Sequence, residues 1–268
     1  MTNGTGSVSL YRSNYFVLKS LDGESWRLVH MKRSVRQSGV FEPTRSRNVN
    51  EEKLETNLIR ARSTVRDLAY CNKWDWWCTL TINKEKRDRN DLKAYRKAFK
   101  RFVSDLRKQG NPIRYLLVAE RHKDGNWHMH GFLAGVHGVM PNKYGYWDWP
   151  DYYDKFGYIS LSRIKSKERA ANYIVKYMTK DLERSVKELG EHMYCASQGL
   201  KRPKTERTGI CVGPQIPADW ENEYVAQTLI RDADKLKLID SSIAWDDEPA
   251  KDSDSKMRKY WPKMANNV

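Results

Sequence analysis

Trp127-His128-Met129-His130-Gly131-Phe132 sets two imidazoles two residues apart, and Glu120 stands eight residues before the first of them. Side chains alternate across a β-strand, so on a strand His128 and His130 share one face and Met129 turns away toward a core. Two imidazoles side by side, with a carboxylate in reach, are the donors of a divalent metal site with open coordination positions. Taken alone, His-x-His fits two satisfied core histidines as well.

A second group lies at Tyr173-Ile174-Val175-Lys176-Tyr177-Met178-Thr179-Lys180. On a helix, Tyr173 and Tyr177 are i, i+4 neighbours about 5–6 Å apart at Cβ. Lys176 and Lys180 are expected on the same polar side. A phenol ionises near pH 10 and is a weak nucleophile at neutrality. Nearby cations or a polarised electrophile compensate for that. By itself a Tyr-x-x-x-Tyr pair is also ordinary helix-surface packing.

These groups need elements to hold them. Leu54, Leu58, Ala61, Val65, Leu68 and Ala69 have helical spacing from Glu51 to about Tyr70. Trp76 to Ile82 reads as a strand. Asp91 to Gln109 reads as an amphipathic helix with Leu92, Tyr95, Phe99, Phe102 and Leu106 on one face and Gly110 as its stop. Arg114 to His122 and Trp127 to Gly135 form two strand patterns around Lys123-Asp124-Gly125-Asn126. A two-residue Asp-Gly loop would send Glu120 to the face opposite the histidines. A three-residue loop, Lys123 to Gly125 with Gly125 left-handed, pairs Glu120 with His128. The three-residue loop is the predicted one, and it puts Glu120, His122, His128 and His130 on one face.

A loop is expected from about Val136 to Asp154, a strand at Tyr158 to Ser162, and one helix from Ser166 to about Val186. That helix buries Ala171, Ile174, Val175, Met178 and Leu182. Met193 to Gly199 returns to the sheet. Tyr15 to Leu18 and Trp26 to Val29, split by Asp22-Gly23, read as a hairpin. The predicted architecture is α+β: a central antiparallel sheet flanked by helices over residues 51–214, an N-terminal extension over 1–50, and a helical or disordered acidic tail over 215–268.

The chain has 268 residues, 49 Lys and Arg against 34 Asp and Glu, and a pI near 9.6. From Gln215 onward there are 11 acidic and 8 basic residues, so the first 214 carry about +18. A body that basic favours a polyanion, nucleic acid first. Ten tryptophans and fifteen tyrosines suit stacking on single-stranded bases, although many must serve a core. Cys71, Cys78, Cys195 and Cys211 form no Cys-x-x-Cys pair, which argues against a zinc knuckle or a disulfide framework. The polar start, Met1 to Asn14, and the lack of any long apolar run lead to an expected place in a bacterial cytoplasm, with no membrane partner. No phosphate-binding P-loop pattern occurs, so a fused helicase of that type is not expected.

Three stretches, in order, resemble the motifs of the HUH endonucleases, the replication initiators (Rep) of rolling-circle plasmids and phages. Cys78-Thr79-Leu80-Thr81 resembles the first motif, with Cys78 where a bulkier apolar residue is usual. Glu120 to His130 resembles the second: an upstream acid, an Asp-Gly turn and His-hydrophobic-His. Tyr173 to Lys180 resembles the third in its two-tyrosine form, similar to that of the gene A and gene II proteins of single-stranded DNA phages. The resemblance covers about Cys71 to Pro203. It implies that Glu120, His128 and His130 hold Mg²⁺ or Mn²⁺, although the donors themselves also admit zinc. It implies that Tyr173 or Tyr177 cuts single-stranded origin DNA, leaving a 5′-phosphotyrosine link and a free 3′-OH. Lys176 and Lys180 would stabilise phosphate charge or lower a phenol pKa, and His122 would lie near the site. Host helicase and polymerase are the implied partners. A single-strand transposase or mobilisation relaxase is the alternative within the family. A non-catalytic DNA-binding protein is the alternative outside it. With six histidines and no βα repeat, a small-molecule metallohydrolase is disfavoured. His30, His137 and His192 fit no pattern.

Overall fold

Asp22 and Gly23 turn the chain between two short apolar runs. Gly23 has φ 91°, and the Asp22 carboxylate accepts from the Glu24 amide at 3.2 Å. The computed structural model describes residues 15–32, 51–213, 215–221 and 225–246. Around the turn, β1 (Tyr15–Ser20) and β2 (Trp26–Met31) pair antiparallel as the expected hairpin, Val17 opposite Val29.

Helix α1 (Glu51–Cys71) buries Leu58, Val65, Leu68 and Ala69; the Leu54 side chain falls outside the described set. In β3 (Trp76–Thr81), Trp76, Cys78 and Leu80 are buried while Trp77, Thr79 and Thr81 point to the other face. Helix α2 (Leu92–Lys108) starts where the Asp91 carboxylate accepts from the Ala94 amide at 2.8 Å. Its buried Tyr95, Phe99, Phe102, Val103 and Leu106 each stabilise by roughly 1.5–3 kcal/mol before chain entropy is counted. β4 (Arg114–Arg121) and β5 (Trp127–Ala134) follow.

Where a loop was expected, the chain makes two-residue strands β6 (Met140–Pro141) and β7 (Trp147–Asp148) and helix α3 (Pro150–Lys155). Such short elements leave no periodicity to read. β8 (Ile159–Arg163) comes next. The expected single helix from Ser166 is instead broken. Helix α4 (Lys167–Ile174) tightens into a 3₁₀ turn (Val175–Tyr177), Met178 leaves the helical region at ψ 89°, and α5 (Lys180–Glu188) starts afresh. Thr179 caps α5 by accepting from the Leu182 amide at 3.1 Å. Ala171, Ile174, Val175, Met178 and Leu182 are all buried as expected, because the break preserves which side faces inward.

β9 (Tyr194–Ala196) closes an antiparallel seven-stranded sheet of order β6-β7-β8-β3-β5-β4-β9. One face, with Cys78, Leu80, Leu117, Met129 and Leu133, packs with the aromatic side chains of α2 and α3. Residues 57–202 form this compact unit.

Residues 1–56 and 203–268 group as a second unit. There β10 (Lys204–Cys211), β11 (Trp220–Glu221), β12 (Val225–Ile230) and β13 (Ile243–Trp245) join β1 and β2, with helix α6 (Ala233–Ser242) alongside. This antiparallel sheet has the order β11-β12-β2-β1-β10-β13 and buries Phe16, Leu18, Leu28, Ile230, Ile239 and Ile243. The sequence-based boundaries at 50 and 214 therefore differ from the structural ones. A lone hairpin is marginal in water, and this one gains its flanking strands from the far end of the chain. Of the acidic tail residues, Asp247, Glu248, Asp252 and Asp254 lie outside the described residues. The described parts are α+β throughout. Among the described residues no helix is long and apolar enough to cross a membrane.

Candidate active site

The β4–β5 turn decides which side Glu120 joins. The His122 amide donates to Asn126 O (2.9 Å) and the Gly125 amide to His122 O (2.9 Å). Lys123, Asp124 and Gly125 are thus the loop, with Gly125 at φ 85°. Glu120 pairs with His128 and Arg121 with Trp127. This is the predicted register. Met129 is fully buried on the core side, and His128 and His130 project from the opposite face.

β3, on the other side of β5, brings Thr81 opposite His128 and Thr79 opposite His130. Each threonine hydroxyl bonds the Nδ1 of its partner: Thr81 Oγ1 to His128 at 3.0 Å, Thr79 Oγ1 to His130 at 3.1 Å. Both rings are thereby oriented with Nε2 directed away from β3. Sequence reasoning missed this role. The signal was present, since Trp77, Thr79 and Thr81 alternate in step with His128 and His130.

Four rings then stand in a near-parallel file. His122 stacks on His128 (centroids 4.0 Å, 17°), His128 is followed by His130 (6.4 Å, 9°), and Tyr177 lies on His130 (4.1 Å, 9°). Glu120 Oε2 sits 2.6 Å from His130 Nε2 and 3.4 Å from His122 Nε2. Tyr177 donates its hydroxyl proton to Tyr173 Oη at 3.0 Å. Trp77 supports both phenols, edge-on to Tyr173 (5.2 Å) and offset from Tyr177 (6.3 Å).

Electrostatics follow from burial. Desolvation, reinforced by the neighbouring His122 and His130, lowers His128 to about 4. Desolvation also lowers His130, while Glu120 pulls the other way. Both imidazoles are therefore neutral at pH 7, the form that ligates metal. Burial raises the Tyr177 phenol well above its ordinary value, and the Tyr173 hydrogen bond and the Glu120 charge add to the effect.

The donor set of one carboxylate and two neutral imidazoles, each with Nδ1 already engaged, fits an oxygen- and nitrogen-ligated divalent ion. Among the described residues, however, no three His, Cys, Asp or Glu side chains already converge on one point. The Glu120–His130 hydrogen bond stands where both atoms would ligate.

The break after Tyr177 changes the place of one expected residue. Lys176 remains with the tyrosines, its Nζ 5.6 Å from the Tyr173 ring centroid. Lys180 opens α5 instead of continuing the tyrosine helix. Arg62 of α1 holds the break, donating to Met178 O through Nε (2.9 Å) and an Nη (2.6 Å). Beside the ring file is an open cavity of about 570 Å³, lined among others by Glu120, Arg121, His122, Lys123, Lys176 and Tyr177; Lys180 does not line it. Three of those six carry a fixed positive charge, which suits a phosphate backbone.

No curated protein and no solved structure matches the chain. The family described as replication-associated protein ORF2/gene II protein matches residues 75–182, which is 108 of the 268 residues and runs from just before β3 into α5. The segment that builds this site is thus similar to a family of replication-associated proteins, and the match supports a rolling-circle replication initiator.

Proposed function

We propose that the protein is an HUH-type nicking and joining enzyme of the two-tyrosine kind, acting on single-stranded DNA at an origin. The observation that carries the reading is Tyr177 stacked on His130, within a file that also holds His128 and Glu120. A nucleophile and a metal-type donor set so close together suit attack on a polarised phosphodiester.

Glu120, His128 and His130 would hold Mg²⁺ or Mn²⁺, whose charge polarises the scissile phosphate. Thr79 and Thr81 fix the tautomer and angle of the two imidazoles. Lys176, with Arg121 and Lys123, neutralises phosphate charge in the cavity. A phenol oxygen of Tyr173 or Tyr177 bonds to phosphorus as the P–O3′ bond breaks. The phenol proton leaves, and the departing 3′ oxygen takes one up. The product is a 5′-phosphotyrosine with a free 3′-OH. One phosphodiester replaces another, so the step runs without a nucleotide cofactor and reverses when a 3′-OH attacks the link. Two tyrosines in contact allow one to hold a strand while the other cuts. The free 3′-OH would prime a host polymerase in the bacterial cytoplasm, with a host helicase to unwind.

The test is incubation with single-stranded origin DNA and Mn²⁺, followed by mass mapping of the adduct. The expected result is a DNA-linked peptide containing Tyr173 or Tyr177. Cleavage that survives the Tyr173→Phe/Tyr177→Phe double change would sink the mechanism.

A further inference from the structure

The face that carries the histidines continues beyond them. Residues directly opposite in antiparallel strands lie on the same face. One row runs Glu120 (β4), His128 (β5), Thr81 (β3) and then Tyr158, whose carbonyl accepts from the Thr81 amide at 2.9 Å. The next row runs His130, Thr79, Ser160, and the third Phe132, Trp77, Ser162. Above β4 the 3₁₀ turn and α5 pack on the sheet. Toward β8 the face opens: Tyr158 is 59% exposed, and Ser160 and Ser162 are only half-buried.

Tyr158 is not alone there. Tyr153 of α3, 48% exposed, meets it edge-on with centroids 6.0 Å apart. Lys86 Nζ lies 4.9 Å from the Tyr153 ring centroid and is fixed by the carbonyls of Tyr153 (2.6 Å) and Asp154 (2.9 Å). A pinned cation therefore sits beside two large rings left in water, about two strand spacings (roughly 10 Å) from His128. Solvent-facing rings at the edge of a reactive face are apolar area waiting for a partner. Planar, anionic ligands match both the rings and the charge.

We infer that this open end of the face is a stacking platform for the single strand as it leaves the nick site. A base stacks on Tyr158, with Tyr153 as the second wall, and Lys86 lies by the adjoining phosphate. Single-stranded DNA is the occupant because its unpaired bases present π-faces and its backbone the matching charge. The row from His128 through Thr81 to Tyr158 also makes the platform continuous with the proposed site of cleavage. The inference rests on the strand-nicking reading given above.

The experiment measures metal-free binding of a fluorescent 20-nucleotide oligo(dT) by anisotropy for the wild type, Tyr158→Ala and Tyr158→Phe. Tyr158→Ala is expected to weaken binding about tenfold, and Tyr158→Phe, which keeps the ring, to bind nearly as the wild type. A blunt duplex, whose bases are already stacked, should show no difference between wild type and Tyr158→Ala. Equal oligo(dT) affinity for wild type and Tyr158→Ala overturns the platform, as does a loss that Tyr158→Phe does not restore. Adduct formation on Tyr173 or Tyr177 by the wild type is scored separately. Its absence alongside a Tyr158 effect would sink the nicking reading and leave the platform standing.

Discussion

Tyr177 lies flat on His130, ring centroids 4.1 Å apart and planes within 9°. The contact joins residues from a strand and from a 3₁₀ turn that sequence distance keeps far apart. It shields the Tyr177 phenol from water, and that burial is the main reason its proton is held tightly.

The Tyr173 hydroxyl accepts the Tyr177 proton's hydrogen bond and so helps to keep Tyr177 protonated. In Tyr173→Phe the Tyr177 phenol should titrate at lower pH than in the wild type. Ring-labelled tyrosine NMR across pH 8 to 12 measures this directly. An unchanged Tyr177 titration would show that the phenols do not couple.

His128 stays neutral in the fold down to about 4, whereas an imidazole in the unfolded chain takes its proton near 6.5. The sign is that of a depressed group: its contribution to stability is present above about 6.5 and is lost as pH falls toward 4. Melting temperature should drop over that window, and the drop should be smaller in His128→Asn. Parallel melting curves for the two proteins would count against the assignment.

Thr79 and Thr81 touch no substrate in this reading, yet they orient both imidazoles. Thr79→Val and Thr81→Val keep shape and lose the hydroxyl. Each should weaken Mn²⁺ binding about 10- to 100-fold while leaving the melting temperature nearly unchanged. Calorimetric titration with Mn²⁺ reads the affinity; wild-type affinity in both variants would remove the threonines from the site.

Arg62 satisfies a buried carbonyl at the break between α4 and α5. Arg62→Met leaves Met178 O without that partner and should cost about 1.5–3 kcal/mol in urea unfolding. Adduct yield should fall as well, since the same break sets where Tyr177 ends the 3₁₀ turn. Full stability with full adduct yield would refute the role.

Gly131 follows His130 at φ 156°, and a Cβ there would stand 2.0 Å from Leu116 O. That carbonyl is sheet backbone and cannot swing aside. Gly131→Ala should therefore destabilise by about 3 kcal/mol, at the upper end of overpacking effects, and displace His130. Thermal unfolding measures the loss; a change under about 1 kcal/mol would mean that β4 yields more easily than a packed sheet should.

Much of this was legible along the chain because its signals are local. Helix α2 announces itself by apolar spacing and by Asp91. The three-residue turn at Lys123 to Gly125 follows from the residues present, and it alone carries Glu120 to the histidine face. The broken helix was illegible for the opposite reason. Ala171, Ile174, Val175, Met178 and Leu182 keep helical spacing straight through the break, and the residue that holds it open, Arg62, is 116 positions away from Met178. The one local trace is Thr179-Lys180-Asp181-Leu182-Glu183, which reads as an N-cap with an acidic first turn. The second sheet was hidden in the same way, because Val225–Ile230 becomes a strand against Trp26–Met31, a partner from the other end of the chain.

Residue type, alternation and turn chemistry by themselves determined the donors Glu120, His128 and His130, their shared face, and two tyrosines one helical turn apart. These follow from neighbours within about ten residues, where backbone geometry leaves few choices. Only the tertiary structure decided that Tyr177 stacks on His130, that Thr79 and Thr81 hold the imidazoles, that Lys180 leaves the tyrosine helix, and that Tyr158 extends the same face. Each of those joins residues from separate elements, and their meeting depends on strand order and on the helix break, which packing of the whole unit sets.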